Sequence, residues 1–148
     1  MARILFAFLT LIATTIAIAE TASITACFQN ELGSRMELTL HDDGSLTGGY
    51  TTAVGNVPPS AWYRLYGGYD AVTLNSKNMG TIGFVVSWQN GVSNSTSTTS
   101  WNGIYDNTRA LPEIRTMWLL TRYATPQNEW GSTQINHDKF RWIKTGEC

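Results

Sequence analysis

The sequence predicts an all-β protein, an eight-stranded antiparallel up-and-down barrel. Three observations carry that expectation. Helical periodicity is hard to find beyond residue 19. Short runs of alternating polar and apolar character recur at intervals of about ten residues, with turn residues between them. Eight such runs can be counted, and eight antiparallel strands of this length can close into a small barrel.

The first segment stands apart from that pattern. "MARILFAFLTLIATTIAIAE" has one arginine, an apolar run, and alanines at 17 and 19 before Glu20. This is the layout of a secretory signal peptide cleaved after Ala19. The alternative, an N-terminal membrane anchor, is disfavoured because the run is shorter than the roughly 20 residues of a membrane span. Residues 1–19 are therefore expected to be a leader and 20–148 a single domain. The destination would be extracellular, or periplasmic in a bacterium.

"ITACFQN" opens the series and ends at "ELGS"; "RMELTLH" ends at "DDGS", whose Asp-Gly pair suits a hairpin turn. "LTGGYTTAV" runs into "GNVPPS", where two prolines forbid a continuing strand. "AWYRLYGGYD", "TIGFVVSWQ", "TSTTSWNGIY", "IRTMWLLTRY" and "STQINHDKFRWIK" complete the set. The hydroxyl-rich tract from Ser93 reads as a loop over Ser93–Thr96 that passes into a strand. Asn94-Ser95-Thr96 is also a glycosylation sequon, meaningful only in a eukaryotic secretory pathway.

Alternate residues of a strand face opposite sides. Ser97, Thr99 and Trp101 share one face; so do Phe84, Val86 and Trp88, and so do Asp138, Phe140 and Trp142. If the aromatic faces form the interior, hydroxyls and a carboxylate point inward with them. Such groups are costly inside unless partnered by one another, by water or by a ligand. Any of the tryptophans taken alone reads as core, and Asn30 and Ser34 taken alone read as turn residues. An inward Asp138 is harder to explain that way, because buried carboxylates are rare.

Composition excludes several functions. The chain has 10 basic and 11 acidic side chains and no basic stripe, so nucleic acid is not an expected partner. No second apolar run of membrane length follows the leader. Two cysteines and the two histidines His41 and His137 do not make a metal-ligand cluster. There is no assembled nucleophile–base pair and no phosphate loop, so no enzyme and no cofactor are expected.

Six segments, "NELGSRM", "GGYTTAV", "GFVVSW", "TMWLLT", "EWGST" and "NHDKF", occur in the order and spacing of the avidin and streptavidin family, which this chain resembles over Ala26–Lys144. The resemblance implies a barrel that binds biotin at its open end, usually as a homotetramer, with a dimer also possible. It implies that Asn30, Ser34 and Tyr50 donate to the biotin ureido oxygen, while Asp138 and Thr52 accept from the two ureido N–H groups. Thr99 would face the thioether sulfur, and Ser97 and the backbone at Asn56 would meet the valeryl carboxylate. Trp88, Trp101 and Trp118 would be the aromatic walls, and Trp130 a lid from a neighbouring subunit. His137, on the opposite face from Asp138, resembles a subunit-interface residue but reads equally as an ordinary surface histidine. Where the family has Gly-x-Trp at the start of the barrel this chain has Ala26-Cys27-Phe28, so Phe28 would plug the closed end. The other readings are a barrel of this fold with a different small amphipathic ligand, or an extracellular sugar-binding β-domain.

Cys27 and Cys148 lie near the two ends of the domain. In an up-and-down barrel the first and last strands pair, which brings the start of one beside the end of the other. An intrachain disulfide is expected, with Cys27 facing outward from the barrel; a bond between subunits is the alternative.

Overall fold

A computed structural model describes residues 23–54, 61–89 and 94–148. The expected leader at 1–19, Asn56, and the side chains of Asn94 and Ser95 lie outside the described residues. Eight strands form a closed antiparallel barrel in chain order: β1 Ser23–Asn30, β2 Arg35–His41, β3 Ser45–Thr51, β4 Tyr63–Tyr69, β5 Met79–Gln89, β6 Asn94–Asp106, β7 Glu113–Arg122 and β8 Thr133–Thr145. The last strand pairs with the first, with Gln29 opposite Arg141 and Asn30 opposite Phe140. The predicted fold is the observed one.

Alternation builds the core. Phe28, Met36, Leu38, Leu46, Leu65, Val86, Ile114 and Phe140 are buried inside the barrel, and their chain neighbours, Cys27 apart, are exposed or half-buried. Phe28 meets Tyr105 edge-to-face with ring centroids 6.2 Å apart, filling the end of the barrel away from the β1–β2 turn. Two glycines permit close strand approach there. A Cβ at Gly48 or at Gly103 would fall 1.9 Å from the carbonyl oxygen of Glu37 or Arg115 respectively.

Two expectations about local structure fail. The connection between β4 and β5 holds a short helix, α1 (Ala71–Lys77), which the strand pattern did not suggest. Asp70 caps it by accepting from Thr73 N–H at 3.0 Å, and Asn78 closes it in the left-handed conformation. Seven residues with none buried carry no amphipathic period, so only the caps could have announced it. The hydroxyl tract is also more regular than expected: β6 begins at Asn94, so 94–96 belong to the strand, not to a loop. Pairing of Asn94 with Gln89, across a register shift after Ser87, extends the ladder.

The two cysteines form an intrachain disulfide, with Cα atoms 5.0 Å apart and 121 residues between them in sequence. Cys27 sits between inward Ala26 and Phe28 and faces outward as expected, where the C-terminal tail reaches it. It is buried because the C-terminal tail lies over it. Gly146 N–H donates to Thr25 O at 2.8 Å, and Cys148 N–H donates to a Glu37 carboxylate oxygen at 3.0 Å.

Candidate functional site

The mouth is the end of the barrel that carries the β1–β2, β3–β4, β5–β6 and β7–β8 connections. Asn30 ends β1, and its side chain works in two directions. Its Oδ1 accepts from Leu32 N–H at 3.1 Å and Ser34 N–H at 2.9 Å, which shapes the turn. Its Nδ2 donates to Asp138 Oδ1 at 3.2 Å across the β1–β8 seam. The turn and site readings of Asn30 therefore both hold. Ser34 is buried, and its Oγ accepts from Ala53 N–H at 3.1 Å.

Asp138 is the one carboxylate of this cluster. Trp101 Nε1 donates to its Oδ2 at 3.0 Å, so each oxygen receives one neutral N–H. Thr116 Oγ1 donates to the Asp138 backbone carbonyl at 3.3 Å, fixing the strand beneath it. Burial pushes the Asp138 pKa above the usual carboxylate value. The bonds from Trp101 and Asn30 oppose that shift, the Glu31 charge adds to it, and His137 opposes it. A carboxylate has about four acceptor sites, and among the described residues two are used, which leaves capacity for another donor.

Aromatic rings surround this polar group. Tyr50 lies 5.2 Å from Trp101 and 5.7 Å edge-on from Trp88. Burial pushes its phenol pKa well up, against a hydrogen bond with Ser34, so it stays protonated and able to donate. Trp88 Nε1 donates to Thr99 Oγ1 at 2.8 Å, which aims the indole across the interior. Trp118 stands opposite Trp101 in the β6–β7 register and packs, partly buried, against the core. Phe84 stacks on Trp101 at 5.2 Å with an interplanar angle of 17°.

The sequence-predicted set divides clearly. Asn30, Ser34, Tyr50, Asp138, Trp88, Trp101 and Thr99 are joined by the bonds and ring contacts above. Thr52 is buried beside them in sequence, but its hydroxyl donates to Val54 O at 3.0 Å and shapes the loop after β3. Ser97 is half-buried one inward position nearer the mouth than Thr99. Trp130, on a 3₁₀ turn at Pro126–Gly131, is fully exposed and does not fold back over its own barrel. His137 is exposed on the outer face. Sequence reasoning missed two features: the Trp101 N–H as a partner of Asp138, and Phe84 as the ring behind that indole. The shared parity of Phe84 and Trp88 was the available signal for the second.

Among the described residues no group of three His, Cys, Asp or Glu side chains could hold a metal ion, and no helix is long and apolar enough to cross a membrane. What the cluster offers is a set of hydrogen-bond partners at one side of an indole-lined chamber. That arrangement suits a ligand with a polar head and an apolar body.

Residues 18–143 match the model of the avidin family. The chain is 29% identical over 134 residues to avidin of Gallus gallus, an alignment covering 86% of this chain and 82% of that protein.

Proposed function

Since the chain belongs to the avidin family, we propose that it binds biotin in the barrel mouth and acts by sequestration, not catalysis. One observation carries this reading: a buried carboxylate, Asp138, held among the described residues by two neutral N–H donors and no cation, within a shell of indole and phenol rings. A cyclic urea presents one strong acceptor and two donors. Tyr50, Ser34 and Asn30 are the donors for its oxygen, and Asp138 accepts from one N–H. Converging donors and a carboxylate at opposite ends of the urea favour its charge-separated form, and charge-assisted hydrogen bonds are roughly twice as strong as neutral ones. The bicyclic body would pack against Trp88, Trp101 and Trp118, at about 25 cal/mol per Å² of apolar area removed from water. The polar groups already bond one another within a closed barrel, so little ordering entropy remains to be lost on binding.

The protein is proposed to be exported after loss of residues 1–19, which suits a chain with a disulfide. Assembly into a dimer or tetramer is supported by the outer face of β7 and β8. Met117, Leu119 and Ile135 are exposed there, Leu119 directly opposite Ile135 and Met117 opposite His137. An exposed Trp130 is a second apolar liability that a neighbour's mouth would cover. The test is retention on biotin-agarose with elution by free biotin. A chain that passes through unretained while folded would sink the biotin reading, leaving another small amphipathic ligand for this chamber.

A further inference from the structure

Three residues on the outer surface of the barrel back the wall that carries Ser34 and Tyr50. Each is the chain neighbour of a buried chamber residue: Arg35 of Ser34, Gly49 of Tyr50 and Trp62 of Tyr63. Successive side chains of a strand point to opposite faces, so this group and the chamber are two sides of one piece of sheet. On the inner side Tyr50 and Tyr63 stand directly opposite each other, and both meet Trp88 edge-on, with ring centroids 5.7 and 5.1 Å away. Ser34 Oγ accepts from Ala53 N–H at 3.1 Å and shares a hydrogen bond with Tyr50.

The outer group is closely seated. The Trp62 indole occupies the space that a side chain at position 49 would fill. A Cβ at Gly49 would fall 2.8 Å from Cε3 and 3.4 Å from Cζ3 of that ring. The Arg35 guanidinium carbon lies over the same indole, 6.0 Å from its centroid, within reach of a cation–π contact. Trp62 thus bridges β2 and β3 from the start of β4, while 38% of it stays exposed.

We propose that Trp62 is a positioning residue: seated on Gly49 beneath Arg35, it fixes the pleat of β3 and so aims the Tyr50 and Ser34 hydroxyls at the urea oxygen of the ligand. This deepens the biotin reading and rests on it. Groups that bind a ligand must be held within about 0.5 Å and 10–20° of their productive geometry by what packs behind them. The phenol oxygen lies at the far end of its side chain, so a small tilt of the backbone at Tyr50 is magnified there. An indole pressed on the adjacent residue resists that tilt.

The test is titration of the purified protein with biotin and with 2-thiobiotin, in which sulfur, a weaker acceptor, replaces the urea oxygen. Trp62→Ala should weaken biotin by about 10-fold, the scale of one hydrogen bond, and 2-thiobiotin by no more than about twofold. Trp62→Phe should recover most of the biotin affinity. Gly49→Ala, whose methyl group displaces the indole, should reproduce the loss in the wild type and add nothing to Trp62→Ala, because both break one contact. Equal weakening of both ligands would overturn the proposal, since the indole would then support the whole wall and not its oxygen donors. Unchanged affinities with a smaller oligomer would also overturn it, making the outer group a subunit contact. Either result leaves the biotin reading intact, whereas a wild type that binds neither ligand removes that reading and this proposal with it.

Discussion

At the closed end of the barrel Asp106 is 2% exposed, and at the mouth Asp138 is 8% exposed. The two carboxylates are almost equally hidden, but their partners differ in kind. Asp106 accepts from Thr108 Oγ1 at 2.6 Å and Thr108 N–H at 3.0 Å through Oδ1, and from Arg109 and Arg115 through Oδ2 at 3.1 and 3.3 Å. The Thr108 hydroxyl first, then the Thr108 N–H and Arg109, hold its pKa down at about 2. Asp138 has two neutral donors, and burial raises its pKa. A charge that is fully matched within its own chain is a structural fastening. A charge that is buried and under-matched is held in place by the fold around it, and a ligand can complete its coordination. The disulfide lies at the fastened end too, where the tail crosses Cys27.

The largest expected effect tests the division between the ends. Cys148→Ser should lower stability by about 2–5 kcal/mol, the usual cost of losing a native disulfide, while a chain that remains folded still binds biotin. Chemical unfolding and biotin titration side by side would measure this, and a parallel loss of affinity at full folding would make the closed end part of the site. Next, Asp138→Asn should cost roughly 1.5–3 kcal/mol of biotin binding, as for a hydrogen bond to a charged group, without lowering the stability of the ligand-free protein at pH 7. Unchanged binding by calorimetry would show that Asp138 is fastening after all.

Trp130→Lys should have a smaller effect, about 1–2 kcal/mol on biotin binding, as for a peripheral aromatic contact, and biotin should tighten the oligomer less than in the wild type. Mixed oligomers with wild-type subunits separate the two geometries: rescue of some variant sites means the lid comes from a neighbour, and no rescue means it acts within its own chain.

The finest test is pH. Asp106, depressed to about 2 from 3.8, contributes stability that is present above 3.8 and lost as pH falls through about 2. Asp138 has the opposite sign: its folded form holds the proton longer, so its contribution declines as pH rises above 3.8 toward its raised value. Thermal melts should therefore show a shallower acid loss in Asp106→Asn than in the wild type. Asp138→Asn should instead lack the decline above 3.8. Biotin affinity should weaken as pH falls into the range where Asp138 gains its proton.

The barrel was legible in the sequence because its code is local. Alternation along each strand names an inner and an outer face, and turns such as "DDGS" mark where the chain reverses. The inward set Ser97, Thr99, Trp101 and Asp138 follows from parity alone, and the family resemblance adds Asn30, Ser34 and Tyr50. What parity cannot supply is height and neighbourhood around the barrel. Closure of β1 on β8 sets Asn30 against Asp138 across 108 residues, and only that closure makes the amide both a turn former and a carboxylate partner. The register of β5 and β6 stacks Phe84 on Trp101. Helix α1 has no fully buried residue and only Leu74 packed on the core, too little to leave a period, and Cys27 is hidden by a tail whose path strand alternation does not encode. The sequence by itself determined the fold, the faces of its strands and most of the residues that meet in the mouth. The tertiary structure decided which of them bond, because hydrogen bonds and ring contacts depend on distances across the sheet that no local pattern carries.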